Sequence, residues 1–294
     1  MKYESKYREM KISVDLKSKM PSSVLQLTRK IIRNIGMGMV GLATKFLEEG
    51  GHTDRRLPLI TRSPKSRDSV LECCIAYNRY GGYCIPLSSR HTPTAQKILG
   101  GRVHEPNTIE FISAHSGSGS IIHAGTYFGD FIPALSEACS ADSKVWAFEP
   151  NPENYRCASI TSQINSAENV RLQNAGLGSR KNQLPLKVRD SDSILGGQSK
   201  FLDADTEPSG ETTEGRIVTI DDTIPSDADI SVIHLDVEGF EKNALKGGIK
   251  TMRRCKPALI LEKPVPKKWV KNNLTKIGYK NERQIESNEV FKCK

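Results

Sequence analysis

A chain of 294 residues that is 37% hydrophobic and 26% charged has the composition of a soluble globular protein with one main domain. No window reaches the roughly 20 uninterrupted apolar residues of a bilayer span, and the charged first twenty residues exclude a secretory signal peptide. The seven cysteines show no paired metal spacing and read as reduced thiols of a cytoplasmic protein, which excludes a disulfide scaffold or a zinc module.

The net charge of +9 is divided along the chain, with +8 in residues 1–66, +9 in residues 250–294 and −8 between them. Basic ends around an acidic middle suit contact with an acidic or membrane surface, or with RNA. Residues 1–66 form a basic extension in which Leu27, Ile31, Ile35, Leu42 and Phe46 predict one or two amphipathic helices within 23–46. That face can meet the body of the protein, a second copy in a homo-oligomer, or a lipid surface. Residues 50–69 have linker composition. Residues 67–102 form a lead-in, with one or two strands around Gly81 and Gly82 and a short helix after them. A second helix is expected from Pro106 to about His115.

From Ser120 strands and helices alternate. "SIIHA", "KVWAF" and "NVRLQNA" read as strands, and "FIPALSEAC" and "NPENYRCASITSQI" as helices, with Pro152 in a first turn. Residues 190–215 are a polar insertion, expected to be a surface excursion or lid. Then come "GRIVTIDDTI", the strand "ISVIHLD", one helix from about Gly239 to Met252, the strand "PALILEK", and a last helix with an antiparallel edge strand or hairpin. This order predicts an α/β sheet with helices on both faces over residues 103–294.

Two stretches carry chemistry. In "IIHAGTYFGD" a strand runs into Gly125 and Gly129, where absent side chains let backbone pass a ligand closely. The spacing is G-x-x-x-G, short of the dinucleotide fingerprint, which disfavours an NAD-dependent oxidoreductase. Glu149 ends the next strand, twenty residues after Gly129, and a carboxylate there can accept both hydroxyl hydrogens of a ribose. The second stretch is "IHLDVEGFE". Asp236 and Glu238 end another strand two residues apart and share a side with His234. They can orient an acceptor hydroxyl, take its proton or favour a cation, or they can cap the next helix. With Glu262 they also offer hard oxygen ligands, yet no spacing specific to a metal is present, so none is expected.

"EPNTIEFI", "IIHAGTYFGDF", "WAFEPNPENY", "RIVTIDDTI" and "VIHLDVEGFEKNALKGG" in this order resemble the FkbM family of S-adenosylmethionine-dependent methyltransferases, over roughly residues 103–263. The resemblance implies the class I (Rossmann-like) methyltransferase fold, a mostly parallel seven-stranded sheet. It implies S-adenosyl-L-methionine as cofactor and O-methylation of a small-molecule or saccharide acceptor as the reaction. It further implies that His123, Ala124, Gly125, Thr126, Tyr127, Gly129 and Asp130 surround the methionine and ribose. Glu149, with Pro150 and Asn151 beside it, would hold the ribose hydroxyls. Asn174 and Ala175, with part of 190–192, would border the adenine, Glu105 would close over the cofactor, and Asp236 and Glu238 would stand at the methyl and acceptor end, with His234 as a lesser participant. The family's usual loop begins with Asp where this chain has His123; Asp130 is the nearby acid that could stand in.

Overall fold

Strand β3 (Ser120–Ala124) is buried at all five positions and β11 (Ala258–Leu261) at all four, the pattern of strands covered on both faces. Around them a computed structural model describes residues 70–190, 195–202 and 210–293. The expected helices of 23–46, the linker at 50–69 and most of the middle of the insertion lie outside the described residues.

The central sheet has seven strands in the order β12 (Tyr279–Ile285), β13 (Asn288–Cys293), β11, β10 (Ile230–Leu235), β3, β4 (Val145–Phe148) and β5 (Val170–Gln173). The five strands from β11 to β5 are parallel, and β13 runs against both of its neighbours. This is the α/β class I methyltransferase fold expected from the sequence. The chain builds outward from β3 through β4 to β5, then returns to place β10 on the other side of β3. That reversal makes β3 and β10 the switch point, where a crevice opens beyond the carboxyl ends of the strands.

Period-two alternation divides the core. Ile122, Ala124, Ile233, Leu235 and Leu261 face one side. Ile121, Val145, Ala147, Val232 and Ile260 face the other, against α2 (Pro106–His115) and α3 (Ile132–Ala138). The lead-in is the hairpin β1 (Cys73–Asn78) and β2 (Gly81–Pro86), followed by α1 (Pro93–Leu99). Its outer edge is tied to α4 (Pro152–Ile164): Cys84 N donates to Thr161 Oγ1 at 2.9 Å, and Asn165 bonds both the N–H and the carbonyl of Gly82. Tyr83, Ile85 and Ile98 then pack with Tyr127 and Phe128 of the glycine loop, so the lead-in buttresses that loop from behind.

Two expectations are corrected. Within 190–215 lie β8 (Lys200–Phe201) and the start of β9 (Glu211–Val218), which form a small sheet with β7 (Asn182–Arg189), just before it, and β6 (Gly176–Leu177). β7 is exposed at four of its eight positions and the first half of β9 is polar, which hid the strand pattern there. The helix expected over 239–252 is two, α6 (Glu241–Lys246) and α7 (Ile249–Cys255), divided at Gly247 and Gly248. A side chain on Gly247 would overlap the Gly178 carbonyl, so the break lets two backbones touch. Among the described residues no helix is long and apolar enough to cross a membrane.

Candidate active site

Three strand exits meet at the crevice. At the end of β3 the chain turns through Gly125, with φ +84°, Tyr127, with φ 52°, and Gly129, with φ +90°. Left-handed φ is natural for the glycines and strained for Tyr127. The tyrosine is held by burial and by its N–H, which donates to Glu149 Oε2 at 2.7 Å. The other oxygen, Oε1, accepts from Asn151 N at 2.8 Å. Asn151 also caps α4 through its side chain, and Asn174 donates to the carbonyls of Glu149 and Pro150 at 2.8 and 3.0 Å. Glu149 thus locks three loops together, and the Asn154 side chain also bonds its carboxylate. Burial pushes its carboxyl up to about 7, against the N–H donors of Asn151 and Tyr127, which favour the ionised form.

At the end of β10 stand Asp236, Val237 and Glu238, the last in the left-handed region with φ 51°. Capping here falls to Glu241, whose Oε1 accepts from Val237 N at 3.3 Å and Gly239 N at 3.4 Å. Asp236 and Glu238 take no part in that bonding, and Glu262 from the end of β11 joins them, with one oxygen from each carboxylate lying within 4.8 Å of the others. Lys263 Nζ stands 2.8 Å from Glu262 and 3.7 Å from Glu238. Burial raises the Asp236 carboxyl well above the usual range, and Glu262, Asp130 and Glu238 add to the effect. Glu238 is raised by burial and Glu262, with Lys263 opposing. Three oxygens at this spacing can hold a divalent cation, and the Lys263 ammonium supplies positive charge to the same cluster.

The crevice is lined by Ala124, Gly125, Glu149, Pro150, Asp236 and Glu238 among the residues predicted for the site. The others expected there stand elsewhere. His123 and His234 are paired across the β3–β10 ladder, Nδ1 to Nδ1 at 3.0 Å, each 1% exposed, with Phe131 stacked on His123 and tilted against His234. One ring must donate through Nδ1 and the other accept, so the pair holds opposite tautomers. Burial keeps both neutral, His123 well below its usual value and His234 at about 4. Glu105 caps no N–H of α2 with its side chain; it accepts from Asn288 Nδ2 at 2.7 Å and Ser287 Oγ at 3.3 Å. Asp130 is buried, and its carboxyl is raised to about 8 by that burial and by Glu105. Thr126, Tyr127, Gly129, Asn151, Asn174 and Ala175 shape the loops from behind the lining.

Sequence reasoning missed Gly176, Leu177, Gly197, Ser199, Phe201 and Phe240 of the crevice wall. The first two directly follow Ala175, and "AGLG" carried the signal of close backbone approach. Nothing in the polar run around Phe201 announced it.

A profile of the FkbM methyltransferase domain matches residues 123–276, just over half of the chain. The chain belongs to the FkbM methyltransferase family. That family is one of S-adenosylmethionine-dependent enzymes, as the resemblance in sequence implied. Among solved structures, the FkbM methyltransferase from Methylobacillus flagellatus KT is 18% identical with a TM-score of 0.40, over 60% of this chain and 43% of its own. The present chain therefore spans less than half the length of that relative. A SAM-dependent methyltransferase from Aquifex aeolicus is 14% identical over 68% of this chain and 93% of its own, with a TM-score of 0.37. TYW2 from M. jannaschii, solved in complex with AdoMet, is 13% identical over 76% of this chain and 88% of its own, with a TM-score of 0.41. No curated protein matches the chain.

Proposed function

We propose that this FkbM methyltransferase transfers the methyl group of S-adenosylmethionine to a hydroxyl oxygen of a sugar, glycolipid or other small natural product. The observation that carries the reading is the division of labour at the end of β10: Glu241 caps the loop, and Asp236 and Glu238 face the crevice that Glu149 borders.

The residues present fit the cofactor. Gly125 has no room for a side chain because the Asp236 carbonyl occupies that place, which ties the glycine loop to the end of β10 and fixes the loop against the crevice that both line. Glu149 lines the crevice with its carboxylate held by Tyr127, Asn151 and Asn154, and a carboxylate there accepts from a ribose hydroxyl. When bound, the sulfonium supplies an electrophilic methyl carbon. The protein's part is placement, since in-line substitution depends on holding the nucleophile behind that carbon. Asp236 receives the acceptor proton as the bond forms. Burial, with Glu262 beside it, raises the affinity of Asp236 for a proton, which suits a base that must take one from an alcohol. Glu238 orients the acceptor, and the ring of carboxylates favours a cation close by. His234, buried behind the sheet edge and neutral, supports the strand and takes no proton from the acceptor.

Calorimetric titration with S-adenosylmethionine, S-adenosylhomocysteine and NAD tests the reading. The sulfur compounds should bind and NAD should not. Saturable NAD binding without response to either sulfur compound would overturn it. A labelled-methyl screen then identifies the acceptor.

A further inference from the structure

The helices that follow β10 and β11 carry strong positive charge. From Lys246 to Lys280 the chain has eleven lysines and arginines and a single acid, Glu262. Topology gathers this charge on one side of the sheet. Strand β10 leads through α7 to β11, and β11 leads through α8 (Lys267–Asn272) and α9 (Leu274–Ile277) to β12, which runs parallel to it. Both crossovers step the same way along the sheet, so right-handed connection puts the three helices in one layer. Met252 of α7, Trp269 and Val270 of α8, and Leu274 and Ile277 of α9 accordingly pack into one apolar cluster.

With the apolar sides turned inward, the solvent sides are cationic. Lys250, Arg253 and Arg254 are exposed on α7, and Lys267, Lys268, Lys271 and Lys276 on α8 and α9. Among the described residues no carboxylate lies within 4.0 Å of these side chains, and the ion pairs are formed by other residues. The nearby acids are engaged otherwise. Asp221 accepts from Lys250 N at 3.0 Å and Thr251 N at 2.8 Å and so caps α7, and Asp222 pairs with Lys181. Arg254 donates to the Ala228 carbonyl at 2.6 Å and pairs with neither of the flanking acids, Asp227 and Asp229. Like charges gathered without internal partners repel one another, and an anionic partner relieves that repulsion.

The make-up of the face separates the polyanions that it can meet. Lysines, hydrated point charges, outnumber arginines on it, whereas nucleic-acid recognition favours the arginine fork. Single-stranded RNA also needs aromatic faces on which its bases stack. Val70, Tyr77, Leu87, Leu99 and Ile164 are the large exposed apolar side chains among the described residues, and all belong to the lead-in or to α4. Trp269 is held against the core cluster. A lysine-rich face without stacking groups or apolar wedges suits diffuse attraction to charged lipid headgroups. We propose that the outer face of α7, α8 and α9 docks on an anionic bilayer surface, through its charge and without insertion into hydrocarbon. The contact is separate from methyl transfer and holds whatever the acceptor is.

Co-sedimentation of the full chain with vesicles tests the surface. The protein should pellet with phosphatidylcholine vesicles in which about a third of the lipid is phosphatidylserine, and not with phosphatidylcholine alone. It should leave the pellet as salt rises from about 0.1 M to about 0.5 M. The variant Lys267→Glu, Lys268→Glu, Lys271→Glu should partition at least about thirtyfold more weakly, with an unchanged melting transition. Lys250→Glu with Arg253→Glu, on a different helix, should weaken partition about tenfold and decides the matter if the first variant does not fold. A charge-matched control on the lead-in and the β5 edge, Arg90→Glu with Arg102→Glu and Arg171→Glu, should bind within about threefold of the unaltered chain. Equal pelleting with both kinds of vesicle, or with neither, overturns the proposal. So does full binding by the folded helix variants, or a control that loses as much as they do. Tighter binding of a mixed-sequence RNA than of anionic vesicles in the same buffer, lost in the same variants, would make the face one for nucleic acid. None of these measurements involves methyl transfer, so their failure leaves that reading standing.

Discussion

Gly125 and Asp236 touch backbone to backbone across the switch point: a Cβ at position 125 would occupy the place of the Asp236 carbonyl oxygen. Asp236 N in turn donates to the Ala124 carbonyl at 3.0 Å, and Gly125 N donates to the Phe148 carbonyl at 3.0 Å. The cofactor loop and the proposed base are therefore one rigid piece. Gly125→Ala must move one backbone off the other and adopt φ +84° besides. The expected cost is about 3 kcal/mol of stability, read by chemical denaturation, with affinity for S-adenosylhomocysteine reduced at least tenfold. A variant with unchanged stability and affinity would show that the contact is dispensable.

Glu149 gives opposite pH trends for stability and for binding. Its carboxyl holds a proton up to about 7 in the folded protein, against an ordinary value of 4.5. The folded state binds more protons between those values, so stability is greatest at the acid end and falls as pH rises towards 7. Asp130, raised to about 8, has the same sign and extends the decline. A ribose diol needs the ionised carboxylate as acceptor, so S-adenosylhomocysteine affinity should rise through the same window. Glu149→Gln should flatten both trends relative to the unaltered chain and weaken binding at pH 8 at least tenfold. Parallel denaturation and calorimetry from pH 5 to 8 decide; binding that is flat in the unaltered chain removes Glu149 from the ribose.

The alternation of strands and helices was legible because β3, β4, β10 and β11 are short, mostly apolar runs buried at nearly every position, and Pro152, Asn151 and Pro106 mark helix starts where they fall. Glu149, Asp236 and Glu238 were legible because strand ends in such a sheet point to one crevice. What stayed hidden depends on tertiary partners. His123 reads as a strand residue next to a cofactor loop, and only the in-register His234 on a strand 111 residues away gives it a partner. Phe201 sits in a run whose polarity says loop, and its cradle comes from Gly176 and Gly215, which no local pattern connects to it.

His123→Asp restores the residue usual at this place in the family, and the structure predicts that it brings no gain. Position 123 faces His234 and Phe131 and does not line the crevice. A carboxylate there would lie in a dry pocket beside a neutral imidazole and would have to draw a proton or charge His234. Stability should drop by about 2 kcal/mol, and S-adenosylhomocysteine affinity should stay within about threefold. A clear gain in affinity would mean that the loop can turn this side chain towards the cofactor.

Asp236→Asn separates the proposed base from the cofactor site. Asn keeps the shape and the backbone contact with Gly125 but cannot take the acceptor proton, and it removes a carboxyl that burial and then the nearby Glu262, Asp130 and Glu238 raise in the native chain. Transfer to the hydroxyl acceptor found in the labelled-methyl screen should fall by about 10²- to 10⁴-fold, with S-adenosylhomocysteine bound within about threefold and stability equal or higher. Glu241→Gln is the companion variant: it weakens the cap on Val237 and Gly239 without removing a group from the crevice. Its transfer rate should stay within about tenfold while stability drops by about 1 kcal/mol. If Asp236→Asn kept most of the rate and Glu241→Gln lost it, the geometry of the β10 loop would be the source of catalysis and the carboxylate of Asp236 would not be its base.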